Sequence, residues 1–155
     1  MRVRTVEEGR FPHVRVSFLA IPCYHCSDPA CIKACPAGAI TKRESDGIVL
    51  VDREACLGLG GCGSCKEACP YDVPQFAEAE NAKMQKCHFC VDRWDKGKKP
   101  VCVEACPMRA LDAGPMEFLE SLYGKSQRAQ GFELTDHCSP SVIFKEKDPQ
   151  TQCGS

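Results

Sequence analysis

Apolar positions recur along this chain in short runs, and their spacing predicts short strands. Residues 14–21 alternate loosely between apolar and polar side chains, as a half-buried strand does. Two further apolar runs, 39–42 and 48–51, flank the dipeptide Asp46-Gly47, which favours a tight turn. The second of these runs is rich in β-branched residues, which fit strands well. The pattern therefore predicts one strand near the N-terminus and one small β-hairpin.

The predicted helices are equally short. Residues 30–34 and 66–68 lie between cysteines and predict single helical turns. A longer helix is predicted over 115–123, because Pro115 opens it, Gly124 follows it, and apolar side chains recur along one face. That face is expected to pack against the rest of the chain, with docking of a partner as the alternative. Residues 145–155 predict a mobile tail.

Composition changes this picture, because 14 of the 155 residues are cysteine. Such a fraction is typical of disulfide scaffolds and metal-rich proteins. Aromatic residues make up only 7% of the chain, so a large single hydrophobic core is not expected and other links must hold the fold together. The formal net charge is −1, from 20 basic and 21 acidic residues. This balance gives no reason to expect nucleic acid or an anionic membrane as a partner.

Targeting signals are not recognisable in the sequence. No apolar stretch approaches the roughly 20 residues that a membrane-spanning helix needs. The first residues lack the basic-then-apolar order of a secretory signal, and they contain no twin-arginine pair. We therefore expect a cytoplasmic chain, unless a partner bearing a twin-arginine signal carries it across the membrane. Disulfides do not persist in the cytosol, so the cysteines are expected to bind metal.

Twelve of the cysteines fall into three groups of four, and each group ends in Cys-x3-Cys-Pro. The same ending closes the Cys-x2-Cys-x2-Cys-x3-Cys-Pro run of bacterial ferredoxins, which binds iron–sulfur clusters. Structural zinc is an alternative that would use the Cys-x2-Cys pairs but does not account for the shared ending. A disulfide framework is a second alternative. The groups are Cys23-x2-Cys26-x4-Cys31-x3-Cys35, Cys56-x5-Cys62-x2-Cys65-x3-Cys69 and Cys87-x2-Cys90-x11-Cys102-x3-Cys106.

The ferredoxin run also predicts which cysteines share a cluster. In two-cluster ferredoxins the fourth cysteine of a run binds the other cluster. Applied to the first two groups, this rule predicts two complete [4Fe–4S] sites. The first site would comprise Cys23, Cys26, Cys31 and Cys69. The second site would comprise Cys35, Cys56, Cys62 and Cys65.

The chain resembles the iron–sulfur electron-transfer subunits of the dimethyl sulfoxide reductase family, over residues 14–120. The resemblance rests on Cys-Tyr-His-Cys-Ser-Asp-Pro-Ala-Cys (23–31), Cys-Pro-Ala-Gly-Ala-Ile (35–40) and Cys-Pro-Tyr-Asp-Val-Pro-Gln-Phe (69–76). It continues in Lys-Cys-His-Phe-Cys-Val-Asp-Arg (86–93) and Gly-Lys-Lys-Pro-Val-Cys-Val-Glu-Ala-Cys-Pro (97–107). It implies an α+β, loop-rich fold of ferredoxin-like [4Fe–4S] modules with short helices and β-hairpins.

Two features depart from the family pattern. Family members usually carry a further cysteine group nearer the N-terminus, and residues 1–22 contain no cysteine. Cys87, Cys90 and Cys102 would then form a third site without its usual fourth ligand, and Cys106 would lack the cluster that it completes. Cys138, Cys153, an exogenous ligand or a partner could fill the gap, or the third cluster could contain three irons. The second departure is the five-residue, glycine-rich gap between Cys56 and Cys62, which we interpret as a bulge that leaves Cys56 a ligand.

The resemblance also implies a function. The chain would relay single electrons through its clusters and hold no catalytic site of its own. Its partners would be a large molybdopterin-type catalytic subunit and, as the electron donor or acceptor, a quinone-linked membrane anchor, as in anaerobic respiration. A hydrogenase, formate dehydrogenase or carbon monoxide dehydrogenase system is the alternative. The predicted organisation is an N-terminal segment (1–22), a bicluster module (23–76), the third cysteine group with the C-terminal helix (77–124) and a tail (125–155).

Overall fold

A long antiparallel hairpin forms the N-terminal part of the computed structural model, which describes residues 1–79 and 81–145. Strand β1 (Arg2–Arg10) pairs with β2 (His13–Ile21), from Arg2 opposite Ile21 to Arg10 opposite His13. The strand predicted over 14–21 is confirmed, whereas β1 was missed. Its residues are mostly charged or exposed, so they show no apolar alternation that sequence analysis could detect.

The second hairpin is the predicted one. Strands β3 (Ile40–Lys42) and β4 (Val49–Val51) pair antiparallel, and Gly47 in the turn between them has a φ of 74°. Helices α1 (Ala30–Lys33) and α2 (Ser64–Ala68) pack against each other beside this hairpin. Both helices were predicted, although α2 begins two residues earlier than expected.

The described residues contain three further helices, which are α3 (Val91–Trp94), α4 (Val101–Glu104) and α5 (Met116–Tyr123). Only α5 was predicted. It ends at Tyr123, and Gly124 follows with a φ of 82°, which suits glycine, so this boundary matches the prediction. The other two helices lie in the third cysteine group and were missed because each is a single turn without a detectable apolar period.

In the described part of the chain, the buried hydrophobic residues form two small clusters and no single large core, as the composition predicts. One cluster lies beneath the β3–β4 hairpin and contains Ile40, Val49, Cys65 and Met84. The other lies at the base of the long hairpin. Its buried members are Leu19, Ile21 and Tyr24, and Tyr71, Phe132 and Phe144 pack against them.

The observed architecture confirms the predicted α+β, loop-rich fold class, since residues 1–79 and 81–145 form short helices and two antiparallel two-stranded sheets. Among the described residues, no helix is long and apolar enough to cross a membrane. The tail predicted to be mobile falls almost wholly on residues 146–155, which lie outside the described part of the chain.

Candidate metal centres

The second site is a cavity in the fold. All four cysteines predicted to share this site line one small, mostly apolar pocket. Phe76 and Met84 contribute apolar walls, and Met84 is almost completely buried. The Cys65 thiol interacts electrostatically with the other three, which are Cys35, Cys56 and Cys62. The fold therefore gathers thiols from both the first and the second cysteine group round one space.

The first site is assembled in the same way. The thiols of Cys23 and Cys31 interact with each other and with Cys69, which comes from the second group of the sequence. Cys26 interacts with Cys23 and Cys31. Cys69 directly follows α2, which packs against α1, and this packing brings the cysteine to the first loop. The proximity that the fourth-cysteine rule requires is thus present.

The third site brings together three of the predicted thiols. Cys102 interacts with Cys87 and Cys90, although eleven residues of loop and helix separate Cys90 from Cys102. Cys102 lies in α4, whose first turn follows Pro100 as α1 follows Pro29. Cys106 lies after α4, and its Sγ accepts a hydrogen bond from the Ala110 N–H at 3.4 Å.

Backbone geometry repeats in all three groups. Each Cys-x2-Cys loop contains a residue with positive φ, namely His25, Gly63 or Phe89. Each Cys-Pro segment closes a turn, in which the third residue after the cysteine returns its N–H to the cysteine carbonyl. These bonds join Gly38 to Cys35 (3.3 Å), Asp72 to Cys69 (3.0 Å) and Arg109 to Cys106 (3.1 Å). All three donors have positive φ, so the common Cys-x3-Cys-Pro ending produces a common conformation.

The five-residue gap folds into a compact bulge. The Gly58 N–H donates to Cys56 Sγ at 3.4 Å, and the Cys62 N–H donates to the Gly58 carbonyl at 3.0 Å. The Leu59 N–H donates to the Ala82 carbonyl at 3.1 Å, which anchors the bulge to the following segment. Cys56 consequently lines the same cavity as Cys62 and Cys65, in agreement with the interpretation that the insertion leaves it available as a ligand.

His25 lies buried inside the first Cys-x2-Cys loop. Its Nδ1 accepts the Val49 N–H at 2.9 Å, so the ring proton resides on Nε2. Among the described residues, Nε2 has no hydrogen-bond partner. Burial, Lys86 and His88 lower the pKa of His25 to about 3, which keeps the ring neutral. The ring also meets Phe89 of the third group edge to face, with centroids 5.4 Å apart.

Burial raises the pKa of five thiols at these sites. The pKa of Cys31 rises to about 11, chiefly through burial, and burial also raises those of Cys23, Cys26, Cys65 and Cys102. Cys62, which is exposed, instead has a lowered pKa because Ser64 donates to its sulfur. Buried thiols become stable thiolates only when a strong positive charge joins them, and a bound metal provides that charge.

Cys138 lies at the first site, a placement that sequence reasoning left open. Its thiol is buried and interacts with those of Cys26 and Cys69. The segment around it pairs with the first loop, since the Ser27 N–H donates to the Ser139 carbonyl and the Ser141 N–H donates to the Tyr24 carbonyl. Cys138 is thus placed beside the first site and not in the gap of the third. Cys153, the other candidate for that gap, lies outside the described residues.

The donor set fits iron–sulfur clusters. Within the described ranges, no three His, Cys, Asp or Glu side chains converge closely enough to hold one metal ion. A cubane requires a different arrangement, because each of its four thiolates binds a different iron. The four-thiol cavity, the N–H groups directed at sulfur and the unpartnered His25 Nε2 supply the ligands and the donors that such a cluster needs.

This fold and these thiols define the class of ferredoxin-like iron–sulfur proteins. Comparison with known protein families agrees, because residues 14–116 match the model of the 4Fe-4S dicluster domain. The chain belongs to this family. This match supports iron–sulfur clusters as the cofactors of the chain.

Individual relatives confirm the resemblance to iron–sulfur subunits of oxidoreductases. One chain of the anaerobic dimethyl sulfoxide reductase of Escherichia coli is 45% identical over 83% of the present chain. One subunit of the sulfite dehydrogenase of Allochromatium vinosum is 40% identical over 84% of it. The formate dehydrogenase-O iron-sulfur subunit of Escherichia coli is 42% identical over 64% of it. The present chain spans 60%, 55% and 32% of the lengths of these relatives.

Proposed function

We propose that this chain relays single electrons between a quinone-linked membrane partner and a molybdopterin oxidoreductase catalytic subunit. A [4Fe–4S] cluster, when bound, supplies one-electron redox chemistry. The observation that carries the proposal is the cavity lined by Cys35, Cys56, Cys62 and Cys65, next to a second set of four thiols. The cofactors would be two [4Fe–4S] clusters, with a third held by Cys87, Cys90, Cys102 and a further ligand.

The contacts between thiols give the proposed relay an order. Helix α1 separates Cys31 of the first site from Cys35 of the second by only one helical turn. The Cys23 thiol, also of the first site, interacts with Cys87 of the third site. The first site would therefore stand between the second and third sites in the order of the relay.

The chain's own residues would control the environment of each site. The Cys thiolates would hold the irons, while Phe76 and Met84 would keep water from the second site. The Phe89 N–H, which donates to Cys87 Sγ at 3.4 Å, would stabilise negative charge at the third site. No general acid–base pair or activated nucleophile is needed for this function, because electrons enter and leave without bond rearrangement in the protein.

Metal analysis of the anaerobically purified chain tests the proposal. Two cubanes require at least about eight iron atoms per chain and an equal amount of acid-labile sulfide. Stoichiometric zinc without sulfide would contradict the proposal and favour the structural zinc alternative.

Single substitutions test the assignment of ligands to sites. We expect Cys65→Ser to damage the cluster of Cys35, Cys56 and Cys62, while Cys31→Ser damages the cluster of Cys23, Cys26 and Cys69. Electron paramagnetic resonance of the reduced protein would distinguish the two signals. If both variants altered the same signal, or if neither altered any, the proposed pairing would be wrong.

The identity of the partner is a separate part of the proposal. The two relatives from a dimethyl sulfoxide reductase and a sulfite dehydrogenase match over more than four fifths of this chain, and the formate dehydrogenase subunit over less. This favours a molybdopterin partner of the dimethyl sulfoxide reductase or sulfite dehydrogenase type over a formate dehydrogenase. Affinity purification of the tagged full chain from its native cell, followed by molybdenum analysis and by activity assays of the recovered complex with dimethyl sulfoxide, sulfite and formate, would test it. Recovery of a nickel-containing partner would support the hydrogenase or carbon monoxide dehydrogenase alternative.

Localisation follows from the same proposal. The clusters would be assembled in the cytoplasm, and the folded chain would work there or be exported with a twin-arginine-bearing partner. Fractionation of native cells would show on which side of the membrane the complex resides.

A further inference from the structure

Lys86 occupies a defined position between the first and third sites. It follows Gln85, which forms a two-way backbone bridge with Gln75, each N–H donating to the other carbonyl at 2.8 Å. This bridge holds the backbone directly before Lys86. The side chain lines an open cleft whose walls also include Cys23 of the first site and Cys87 of the third.

Backbone carbonyls hold the Lys86 ammonium in place. Nζ donates to the carbonyl of Val49 in strand β4 and to the carbonyl of Cys87, the latter at 3.2 Å. The side chain is half-buried. Two backbone carbonyls hold its ammonium, and the bridge between Gln75 and Gln85 holds the backbone that precedes it. The charge is therefore fixed in position relative to the thiols and is not free to swing into solvent.

The charge acts on the first site. The ammonium interacts electrostatically with the thiols of Cys23 and Cys31, and Cys23 lines the same cleft as Lys86. Reduction of a cluster adds one negative charge, so a cation held beside the ligands stabilises the reduced form more than the oxidised form.

Other lysines are held in similar ways but at different places. Lys83 Nζ donates to the Cys56 carbonyl at 2.6 Å, which places its charge at the second site. Lys42 Nζ donates to the carbonyls of Cys26 and Ser27, at the far end of the first loop. Of these three cations, only Lys86 lies in a cleft shared by thiols of two sites.

We propose that Lys86 is a positioning residue that raises the reduction potential of the first site and so sets the driving force for electron transfer through the middle of the relay. This inference rests on the proposed electron-transfer function. It adds a residue that is not a cluster ligand and that acts through its fixed charge.

The test is a set of substitutions in the full chain, purified anaerobically with its clusters. Lys86→Gln and Lys86→Met remove the charge, and Gln keeps a donor for the carbonyls. Lys86→Arg keeps the charge. Lys83→Gln is the matched control, because it removes a lysine that also donates to a backbone carbonyl but lies at the second site. Potentiometric titration followed by electron paramagnetic resonance gives the potential of each cluster.

We expect both neutral variants to shift the reduction equilibrium of the first cluster about tenfold toward the oxidised form, which is ~59 mV for a one-electron couple. Lys86→Arg should stay close to the wild type. Lys83→Gln should shift the second cluster and leave the first unchanged. Iron and sulfide contents should be equal in all four variants, which excludes an effect on cluster assembly.

Several results would overturn the inference. One such result is an unchanged reduction potential of the first cluster in the neutral variants. Another is an equal shift of that potential in Lys86→Arg and Lys86→Gln, which would indicate that side-chain packing and not charge is responsible. If Lys83→Gln shifted the reduction potential of the first cluster as much as Lys86→Gln does, the effect would come from the net charge of the protein and not from the position of Lys86. Loss of the first cluster in both neutral variants, with retention in Lys86→Arg, would make Lys86 an assembly residue. Absence of iron and sulfide from the wild type would instead refute the proposed function itself.

Discussion

The backbone N–H of Ser27 donates a 2.9 Å hydrogen bond to the carbonyl oxygen of Ser139, 112 residues further along the chain. The Ser27 hydroxyl donates to the same oxygen at 3.1 Å, and the Ser141 hydroxyl donates to the His25 carbonyl at 3.2 Å. These bonds fasten the C-terminal segment across the first cysteine loop. As a result, Cys138 is held against the ligands of the first site.

We expect Cys138 to replace Cys26 when that ligand is removed. The two thiols already interact, and Cys138 is buried where a bound iron would not meet water. Cys26→Ala should therefore keep a four-iron cluster at the first site, whereas Cys26→Ala/Cys138→Ala should lose about one iron and give a three-iron signal. Iron analysis and electron paramagnetic resonance distinguish the outcomes. A three-iron signal in the single variant would contradict this prediction.

A substitution in the bulge should affect the second site selectively. Gly58 has a φ of 81°, and a Cβ there would lie 3.1 Å from the Ala82 carbonyl oxygen. We expect Gly58→Ala to displace the loop that carries Cys56 and to lower the amount of the second cluster. Gly97→Ala is the control, because Gly97 also has positive φ but a Cβ there would meet open space. It should cost about 1 kcal/mol and leave cluster content unchanged. Equal cluster loss in both variants would show that backbone strain alone is responsible.

His25 should contribute to stability through its hydrogen bond to strand β4. Val49 is almost completely buried, and its N–H donates to His25 Nδ1. His25→Leu would leave this donor without an acceptor and should lower the free energy of unfolding by about 1–3 kcal/mol. His88, the exposed histidine in the Cys-x2-Cys loop of the third group, is the control, and His88→Leu should change the free energy of unfolding by less than about 0.5 kcal/mol. Denaturant unfolding of the cluster-loaded variants measures this free energy for each of them. A stable His25→Leu variant would show that the bond is dispensable.

Asp112 should anchor helix α5. Its carboxylate accepts hydrogen bonds from Lys99 and, at 2.8 Å, from the Tyr123 hydroxyl. Burial acts to raise the pKa of Asp112, but these donors outweigh it and hold the pKa below its ordinary value. We expect Asp112→Asn to lower the free energy of unfolding by about 1 kcal/mol, after allowance for solvent screening.

The pH dependence of this effect has a definite sign. A carboxyl whose pKa is lowered by folding stabilises the protein fully above its unfolded pKa of about 3.9, and loses that contribution as the pH falls through its folded pKa. The difference between wild type and Asp112→Asn should therefore be the same at pH 7 and pH 5. Tyr123→Phe, which removes one of the two donors to Asp112, should also lower the free energy of unfolding. A difference that halved between these two pH values would assign the effect to another group.

Much of the cluster chemistry could be predicted from the spacing of the cysteines, because a repeated Cys-x3-Cys-Pro ending is a local feature. The three Cys-Pro turns, which end at Gly38, Asp72 and Arg109, show why such a pattern predicts structure, since the hydrogen bond that closes each turn joins residues within a four-residue segment. The β3–β4 hairpin and helix α5 were predictable for the same reason. Strand β1 was not, because it is recognised only through its pairing with β2.

By itself, then, the sequence determined the metal chemistry, the fold class and the short elements, all of which depend on residues near one another in the chain. Only the tertiary structure decided which distant groups meet. It placed Cys138 at the first site and anchored Lys86 between Cys23 and Cys87. It also closed the bulge against Ala82. These contacts depend on how the chain packs, and the spacing of residues along a sequence does not encode such packing locally.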